Sequence, residues 1–540
     1  MTRSNPRSPW RLLLALLTVS SLVVAACGGD DDDVDGGATP TTEQPSDGSD
    51  GTDGTESGGD ADPEGVVRVG YDLVAATRGG LTWDPTEVTT QLTDTGLFYL
   101  VYGSLLRPTA EGDLEPDLAE STEIVDPNTI EVALRDGLTF SDGTPFDADA
   151  VKAGLERSLA ATGSAGFGSA FFDLETVEVV DPTTVRLLIP NGTAASWHDT
   201  FLGSWETTIV KPDLDPSQPI GAGPMVVGEF APEQRIVLER SDTYWEADAV
   251  RLGGIELIHA PDGTSGASAL QAGQIDVARI DTVQIPTVEG DAEVLLKTDP
   301  NALMHGMICK RDEPLSDPLV RKALNKAVDR ELLSEAVFDG AFEPAHGLWP
   351  EGHRFHSPDV TDEVSFDPEG AVSLLEEAGH GDGLEIDVYV IQSGGMPDVA
   401  AVLQQQFADV GVTANLIPAP NYVADFLQPQ PPGMGLVPTI SPNRLKLLQW
   451  SGESIGNTCG FSDPELEALA AELAAVSDAS DEAEELWHQI EEKVVAEDAL
   501  SLFLLFNSTV VAYDDDALGD VQMMPFTIPV PDVRSTYVKA

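Results

Sequence analysis

The segment Gly452-Glu453-Ser454-Ile455-Gly456 has the spelling of a nucleophile elbow, the turn that exposes the catalytic serine of many hydrolases. Such a serine needs a tight strand-to-helix turn and a histidine from later in the chain, and only His488 follows it. The residues after the motif, 457–460, are typical of a continuing loop. The pattern therefore predicts a Gly/Ser-rich loop, with a secreted serine hydrolase acting through Ser454 as the alternative.

Three histidines, His346, His353 and His356, lie close enough in sequence to suggest a metal site. The segment around them is rich in proline and glycine and lacks cysteines or a spaced set of carboxylates, so we expect loop histidines and no metal. The glycines at 221–224 lack the third glycine of a dinucleotide loop, and no P-loop, HExxH or paired CxxC motif occurs. The sequence thus predicts no cofactor, and a binding protein rather than an enzyme.

The charge balance excludes further classes of function. The 540 residues include 93 acidic and 28 basic side chains, a formal net charge of −65 at pH 7. Binding to nucleic acid or to anionic lipid head groups needs clustered Lys and Arg, so neither is an expected partner. At this length, with 41% hydrophobic residues, we expect two or more lobes around a substantial core.

The first 26 residues are typical of an export signal. Three arginines and no acidic residue precede an apolar run, 12–26, that is short for a membrane span. The run ends in small residues before Cys27, which resembles the lipobox of bacterial lipoproteins and predicts a lipid on Cys27. An ordinary secretory signal or a single anchor helix is the alternative. Residues 28–64 contain thirteen acidic side chains and no basic one, so we expect 27–65 to be a lipidated, acidic, disordered tether.

Two further cysteines, Cys309 and Cys459, remain in the rest of the chain. Outside the cytoplasm they can pair as a disulfide. Sequence alone does not establish that their Cα atoms approach within bonding range, so the paired and the free forms both stay open.

Short β-branched runs alternate with amphipathic helices, which predicts an α/β or an α+β fold. Helices are expected after Asp367-Pro368 and Asp463-Pro464, where an N-cap precedes a proline at the first helical position. A single helix is expected over 317–337, with Arg321 on its outer face. The expected strands, with a hairpin at Asp181-Pro182, are 66–71, 130–134, 176–180, 185–189, 235–239, 256–259, 386–391 and 412–417.

Several blocks of the sequence resemble the extracytoplasmic solute-binding proteins of family 5, the oligopeptide-, dipeptide- and nickel-binding components of ABC importers. The most specific block, 134–151, reads LRDGLTFSDGTPFDADAV. The resemblance extends over nearly all of residues 66–520. The other blocks are 101–106, 115–121, 221–225, 238–240, 244–245, 269–276, 320–324, 327–330 and 367–379.

The resemblance implies an α/β, bilobed periplasmic-binding-protein-like fold (class II, cluster C type) with an extra subdomain in lobe I. Its lobes would close around a ligand by hinge motion. The implied organisation is a signal peptide at 1–26, the tether at 27–65, lobe I at 66–107, 206–300 and 505–540, the extra subdomain at 108–205, and lobe II at 301–504.

The resemblance also implies a function, that of the substrate-binding lipoprotein of an ABC importer. The expected partners are a peptide or small polar or anionic solute, the ABC permease subunits of the cytoplasmic membrane, and the outer face of that membrane through the lipid anchor. A monomer is expected. A non-transport cell-surface protein that retains the fold is a further alternative.

Ligand residues are carried over from the family by position. In peptide-binding members an extended peptide pairs with main chain from both lobes while an acidic residue holds its ammonium group. On that resemblance Thr90, Gln91 and Thr93 are the expected first-lobe contacts, with a threonine-rich surface turn as the alternative.

The second-lobe segment departs from the family's peptide pattern, because no acidic residue lies between Phe426 and Gly452. Asn443 and Arg444 are the candidates there, and Arg444 is expected to hold a carboxylate or phosphate in a bidentate fork. Its alternative role is to relieve repulsion on an acidic surface. Trp450 is expected either to stack on the ligand or to be buried in the core.

Overall fold

The computed structural model describes most of the chain after residue 60. The predicted signal peptide, most of the predicted tether and all three cysteines, Cys27, Cys309 and Cys459, lie outside the described residues. Within them, no helix is both long and apolar enough to cross a membrane. The described residues are 61–73, 83–87, 95–109, 113–161, 174–211, 213–231, 233–308, 313–392, 395–422, 425–426, 432–440, 450, 461–524 and 529–540.

Strands form where β-branched and aromatic residues either alternate with polar ones or make runs buried on both faces. In chain order the strands of the described residues are β1 (Ala61–Asp62), β2 (Val66–Tyr71), β3 (Leu106–Pro108), β4 (Leu114–Pro116), β5 (Ala119–Asp126), β6 (Thr129–Leu134), β7 (Thr176–Asp181), β8 (Thr184–Leu188), β9 (Met225–Ala231), β10 (Arg235–Arg240), β11 (Gly254–His259), β12 (Val277–Ile280), β13 (Glu293–Met307), β14 (Glu343–Pro344), β15 (Leu384–Ile391), β16 (Val412–Ala419), β17 (Met434–Ile440), β18 (Ser501–Tyr513), β19 (Leu518–Gly519) and β20 (Tyr537–Lys539).

The helices place an apolar stripe on these sheets or on each other. A π-helix, Glu492–Glu497, continues the last of them. In chain order the α-helices of the described residues are α1 (Thr95–Tyr102), α2 (Ala148–Ala161), α3 (Ala194–Phe201), α4 (Gly263–Gln271), α5 (Ile285–Val288), α6 (Pro318–Lys326), α7 (Arg330–Phe338), α8 (Pro358–Val364), α9 (Pro368–Glu377), α10 (Met396–Asp409), α11 (Pro464–Ala474) and α12 (Asp481–Glu491).

One large mixed sheet runs through the molecule, in the order β16-β15-β17-β13-β18-β12-β2-β11-β10-β9, with β14 added beside β18. Its two long strands, β13 and β18, are antiparallel neighbours of 15 and 13 residues at the middle of that order. The predicted lobe boundaries at 300/301 and 504/505 fall inside these two strands. β13 and β18 therefore belong to both predicted lobes, whose limits stay a prediction.

A second, smaller sheet has the antiparallel order β5-β6-β8-β7. The predicted hairpin is confirmed, since β7 and β8 pair across Asp181, whose side chain accepts the backbone N–H of Thr183 at 2.9 Å. Helices α2 and α3 cover this sheet and share one hydrophobic cluster with it. The sheet and its two helices form a unit with its own core, called the small-sheet unit below.

The regular elements predicted from the sequence are confirmed with one exception. All eight predicted strands are present within two residues of their expected ends. Asp367 and Asp463 cap α9 and α11 through side-chain oxygens that accept backbone N–H groups. The single helix expected over 317–337 is wrong: the chain breaks after α6, because the Asp329 side chain accepts the Leu332 N–H and starts α7 as a new helix.

Arg321 corrects the expected outer face of that helix. It is 4% exposed and points inward, where its guanidinium donates to the carbonyl oxygens of Leu315, Ser316, Asp498 and Ala499. An amphipathic pattern places arginine on the solvent side by default. Here the carbonyl oxygens of Asp498 and Ala499, far away in sequence, draw the guanidinium into the interior. The spacing of apolar residues along one helix contains no information about such partners.

Candidate ligand-binding site

The ligand residues predicted from the sequence fall mostly outside the described part of the chain. Thr90, Gln91, Thr93, Asn443 and Arg444 all lie there, as does the Ser454 motif. These assignments therefore stay predictions.

Trp450 is described, and it is 4% exposed. It packs in a hydrophobic cluster with Leu303, Trp349, Phe503 and Phe506. This environment fits the structural role that the sequence left open for the tryptophan.

The two long strands lose their regular pairing near the middle of the large sheet. Thr298 pairs with Ser508 and Leu303 pairs with Phe506, so four residues of β13 face a single residue, Asn507, of β18. Such an irregularity interrupts the hydrogen-bond ladder and bends the strand. Fewer backbone hydrogen bonds therefore join β13 and β18 where the two strands pass from one predicted lobe to the other.

Polar side chains collect at this irregularity. The hydroxyl oxygens of Thr298 and Ser508 lie 3.3 Å apart. The side-chain oxygens of Asn301 and Asn507 are buried and have no hydrogen-bond partner among the described residues. A buried acceptor without a donor costs about 1–3 kcal/mol, so these two oxygens favour an additional donor at this place.

Glu343 is a charged residue close to the same position in the fold. It lies on β14, which pairs with Phe506 and Leu505 of β18. Burial is the main influence on its carboxyl and raises its pKa, an effect that the charge of Glu351 reinforces and a hydrogen bond from Thr298 opposes. A half-buried carboxyl held in this way gains from a cationic partner, which would restore its ionised form.

Arg330 fixes the backbone that carries Glu343. Its side chain is 2% exposed, and its Nε donates to Ala345 O at 2.9 Å and to Phe503 O at 3.0 Å. Further bonds reach the carbonyl oxygens of Asn325, Val328 and Val364. One buried guanidinium thus ties the residue after β14 to β18 and to two other segments, 325–328 and the end of α8.

Glu491 holds the backbone of the residues that follow β14 in the chain. It is fully buried, and its carboxylate accepts the backbone N–H groups of Leu348 at 2.7 Å, Trp349 at 3.2 Å and Ser357 at 2.5 Å. A Cβ atom on Gly347 would lie 2.2 Å from Glu491 Oε1, so the close approach requires glycine at that position. The segment 343–357 is therefore held from both ends by buried charges.

The three histidines of this segment find three different partners. His346 Nδ1 lies 3.1 Å from Glu351 Oε1, and His356 Nδ1 lies 3.3 Å from Glu491 Oε2. His353 stacks on Trp349 with ring centroids 4.5 Å apart. In the part of the chain that is described, no group of three or more His, Cys, Asp or Glu side chains is arranged to hold a metal ion.

The arrangement suits recognition of a solute with hydrogen-bond donors or a positive charge. Asn301, Glu343 and Asn507 supply acceptor oxygens, on strands that buried groups hold in place. Sequence patterns did not point to these residues, because the irregular pairing of β13 and β18 near which they lie depends on strand register. The one available signal was Glu343 itself, a single acid within the apolar run Ala341-Phe342-Glu343-Pro344-Ala345.

Comparisons with known proteins agree on one family and one fold. The sequence model of the bacterial extracellular solute-binding proteins, family 5 (middle region), matches residues 113–430, more than half of the chain. The glutathione-binding protein GsiB of Escherichia coli (strain K12) is 27% identical over 358 residues, which cover 64% of this chain and 68% of that protein.

Two solved structures illustrate the likeness in fold. The ABC transporter substrate-binding protein CtaP of Listeria monocytogenes superimposes with a TM-score of 0.73 at 23% identity, over 88% of this chain and 99% of that chain. The periplasmic binding protein DppA of Helicobacter pylori, in complex with the peptide STSA, gives a TM-score of 0.70 at 18% identity, over 88% and 98% of the two chains.

Proposed function

The chain belongs to the bacterial extracellular solute-binding proteins of family 5, and on that premise we propose that it captures a peptide or similar small solute carrying both an ammonium and a carboxylate group. The predicted bilobed α/β fold is confirmed. The solute would lie between the two lobes and be passed to the permease of an ABC importer. Binding and release require no covalent chemistry, so we expect no enzymatic activity.

The observation that carries this proposal is the acceptor group at the irregular pairing of β13 and β18. An ammonium group offers hydrogen-bond donors and a positive charge, and the half-buried carboxylate of Glu343 beside this irregularity is a charged acceptor for it. An ammonium group beside Glu343 would also offset the free-energy cost of burying its negative charge. Arg444 remains the sequence-based candidate for the carboxylate end of the solute.

Hinge motion has a physical basis in the same place. Where the ladder between β13 and β18 is interrupted, fewer backbone hydrogen bonds resist a change of φ and ψ. Lobe closure in binding proteins of this kind is absorbed by a few such residues. We expect 299–302 to be among them.

Location and partners follow from the sequence and the family. A family of extracellular proteins implies export, which the basic and apolar first 26 residues support. We propose that Cys27 carries lipid and that 27–65 tethers the receptor to the outer face of the cytoplasmic membrane. Mass spectrometry of the mature N-terminus tests this, since an unmodified cysteine or cleavage elsewhere would refute the anchor.

Ligand identity is tested first by mass spectrometry of small molecules that co-purify with the protein. Isothermal titration with glutathione and with the peptide STSA, the ligands in the names of GsiB and of the DppA complex, provides defined probes. We expect heat from at least one peptide-like probe. Absence of any bound molecule and of any heat would contradict solute capture.

The role of Glu343 is tested by Glu343→Gln, which keeps the size of the side chain and removes its charge. Loss of a charged hydrogen bond is expected to weaken binding of a free-amine peptide about tenfold or more. The N-acetylated form of the same peptide should lose much less. Glu472→Gln, on an exposed face of α11, is the matched control, and an equal loss in both variants would refute the assignment.

A further inference from the structure

The small-sheet unit touches a distant part of the chain at one polar contact. Asp199, on α3, accepts the backbone N–H of Asp478 at 2.6 Å, and a hydrogen bond from the Ser477 hydroxyl adds to it. Helix α3 also lies beside α11. The two sides have separate hydrophobic cores, because Trp197 and Phe201 belong to the core of the small-sheet unit whereas Leu473 and Ala483 pack in the cluster around Trp487.

The Asp199 side of the contact is held by two groups of its own unit. His198 Nδ1 lies 2.7 Å from Asp199 Oδ1, and His198 Nε2 lies 2.8 Å from the hydroxyl of Thr122 on β5. Burial would raise the pKa of Asp199, but the hydrogen bonds from His198, Asp478 and Ser477 lower it overall. Within the contact, Asp199 is therefore favoured as an ionised acceptor of the Asp478 N–H.

The Asp478 side is equally well ordered. Ser480 caps α12 by accepting the Ala483 N–H at 3.1 Å, and its own hydroxyl donates to Ser477 O at 2.7 Å. Arg354 donates to Ser480 O at 3.0 Å. The 477–480 turn thus presents the Asp478 N–H just ahead of an 11-residue helix, whose N-terminal dipole favours a carboxylate.

We propose that Asp199 and the 477–480 turn form a latch that stabilises the closed arrangement of the two lobes. The proposal rests on the hinge closure described above. A charge-assisted hydrogen bond formed only on closure raises the fraction of closed molecules before ligand arrives. Because apparent affinity scales with the fraction of binding-competent molecules, the latch strengthens ligand binding without touching the ligand.

The test is Asp199→Ala, measured first without ligand. Small-angle X-ray scattering should give a larger radius of gyration for the variant than for the wild type. Hydrogen exchange should accelerate in peptides covering 476–480, while peptides from the small sheet keep their protection. Identical scattering and identical exchange in the two proteins would overturn the latch.

Two further variants guard against an unspecific effect. Asp142→Ala removes another carboxylate of the small-sheet unit, one whose partner Lys211 lies 2.6 Å away, and it should leave the scattering unchanged. Ser477→Ala removes only the hydroxyl donor on the opposite side and should shift the scattering in the same direction as Asp199→Ala, by less. An unchanged profile for Ser477→Ala together with an expanded one for Asp142→Ala would contradict the proposal.

Titration with the peptide STSA and with glutathione links the latch to binding. Asp199→Ala should weaken whichever probe the wild type binds by about tenfold, the effect expected for one charge-assisted hydrogen bond. If the wild type binds neither probe, these two compounds are not its ligands. Scattering and hydrogen exchange without ligand still test the latch in that case. If the wild type contracts on binding but the variant behaves identically, hinge closure stands and the latch is refuted.

Discussion

Two buried charges, Arg330 and Asp117, are satisfied in opposite ways. The Arg330 guanidinium is surrounded mainly by backbone carbonyl oxygens of five residues. Asp117, which is 2% exposed, accepts mostly from side chains, namely the Tyr244 hydroxyl at 2.6 Å and the Trp245 indole at 2.9 Å, with the Ser104 N–H at 3.3 Å. Arg534, near the C-terminus, bonds the same Tyr244.

The difference concerns what each charge holds together. Arg330 fixes the paths of several backbone segments at once, including the one that carries Glu343. Asp117 belongs to a network of side chains that continues through Arg534 and Glu246 to Arg107. Its charge is therefore stabilised by several side chains together. A backbone-directed charge is therefore expected to be less replaceable than a member of a side-chain network.

The largest effect is expected for Arg330→Met, which keeps volume but removes the guanidinium donors from the carbonyl oxygens of five residues. Burial lowers the pKa of Arg330 to about 9, because it removes the charged guanidinium from water. We expect a loss of about 3 kcal/mol or more in the free energy of unfolding by urea. Arg330→Lys should recover only a small part of it, and a loss below about 1 kcal/mol would contradict the comparison.

Asp117→Asn should cost less, about 1–3 kcal/mol, because Tyr244 and Trp245 can still donate to the amide oxygen. The new amide N–H group would face the Ser104 N–H, which leaves one donor unsatisfied. Urea unfolding measures the loss. Tyr244→Phe, which removes one donor and retains the carboxylate, is the control and should cost less than Asp117→Asn.

His356 gives a pH-dependent test within the Glu491 region. Burial alone would lower its pKa, but the hydrogen bond and charge of Glu491, with the charges of Glu351 and Glu343, raise it above the usual value. A raised folded-state pKa stabilises the protein below about pH 6.5, and that contribution is lost as pH rises through the folded-state pKa. The stability difference between wild type and His356→Gln should therefore shrink from pH 6 to pH 9; a constant difference would refute the assignment.

The smallest effect is expected at an exposed ion pair on the small sheet. Arg186 Nε lies 2.8 Å from Glu131 Oε2, and 45% of the Arg186 side chain is exposed. Solvent screening limits such a pair to about 0–1 kcal/mol, so Arg186→Ala should leave the urea midpoint almost unchanged. A loss comparable to that of Asp117→Asn would mean that burial does not set the order of these effects.

The regular elements were largely predictable because their signals are local. β-Branched runs gave the strands, and Asp-Pro pairs gave the starts of α9 and α11, since a cap needs only residues a few positions away. The break between α6 and α7 was not predicted, because the apolar stripe continues across it. Local capping outweighed amphipathic periodicity at that point.

The candidate site was much less predictable, for a physical reason. Asn301, Glu343 and Asn507 lie near one irregular strand pairing, and strand register depends on pairings between residues far apart in sequence. The family resemblance directed attention to Thr90 and Arg444 instead, and these stay predictions. The buried positions of Arg321 and Arg330 were not predictable either, because their partners are mainly carbonyl oxygens, which every residue has and which therefore give no sequence signal.

The position of β18 in the chain has a consequence for biosynthesis. This strand begins at residue 501 of 540 and pairs with β12, β13 and β14 at the middle of the large sheet. A growing chain therefore contains β12, β13 and β14 before their shared partner β18 is made, and the long-range pairings that close the sheet form slowly even then. The middle of the large sheet is thus completed only after β18 has been synthesised, so the order in which the strands are made delays folding of the whole sheet.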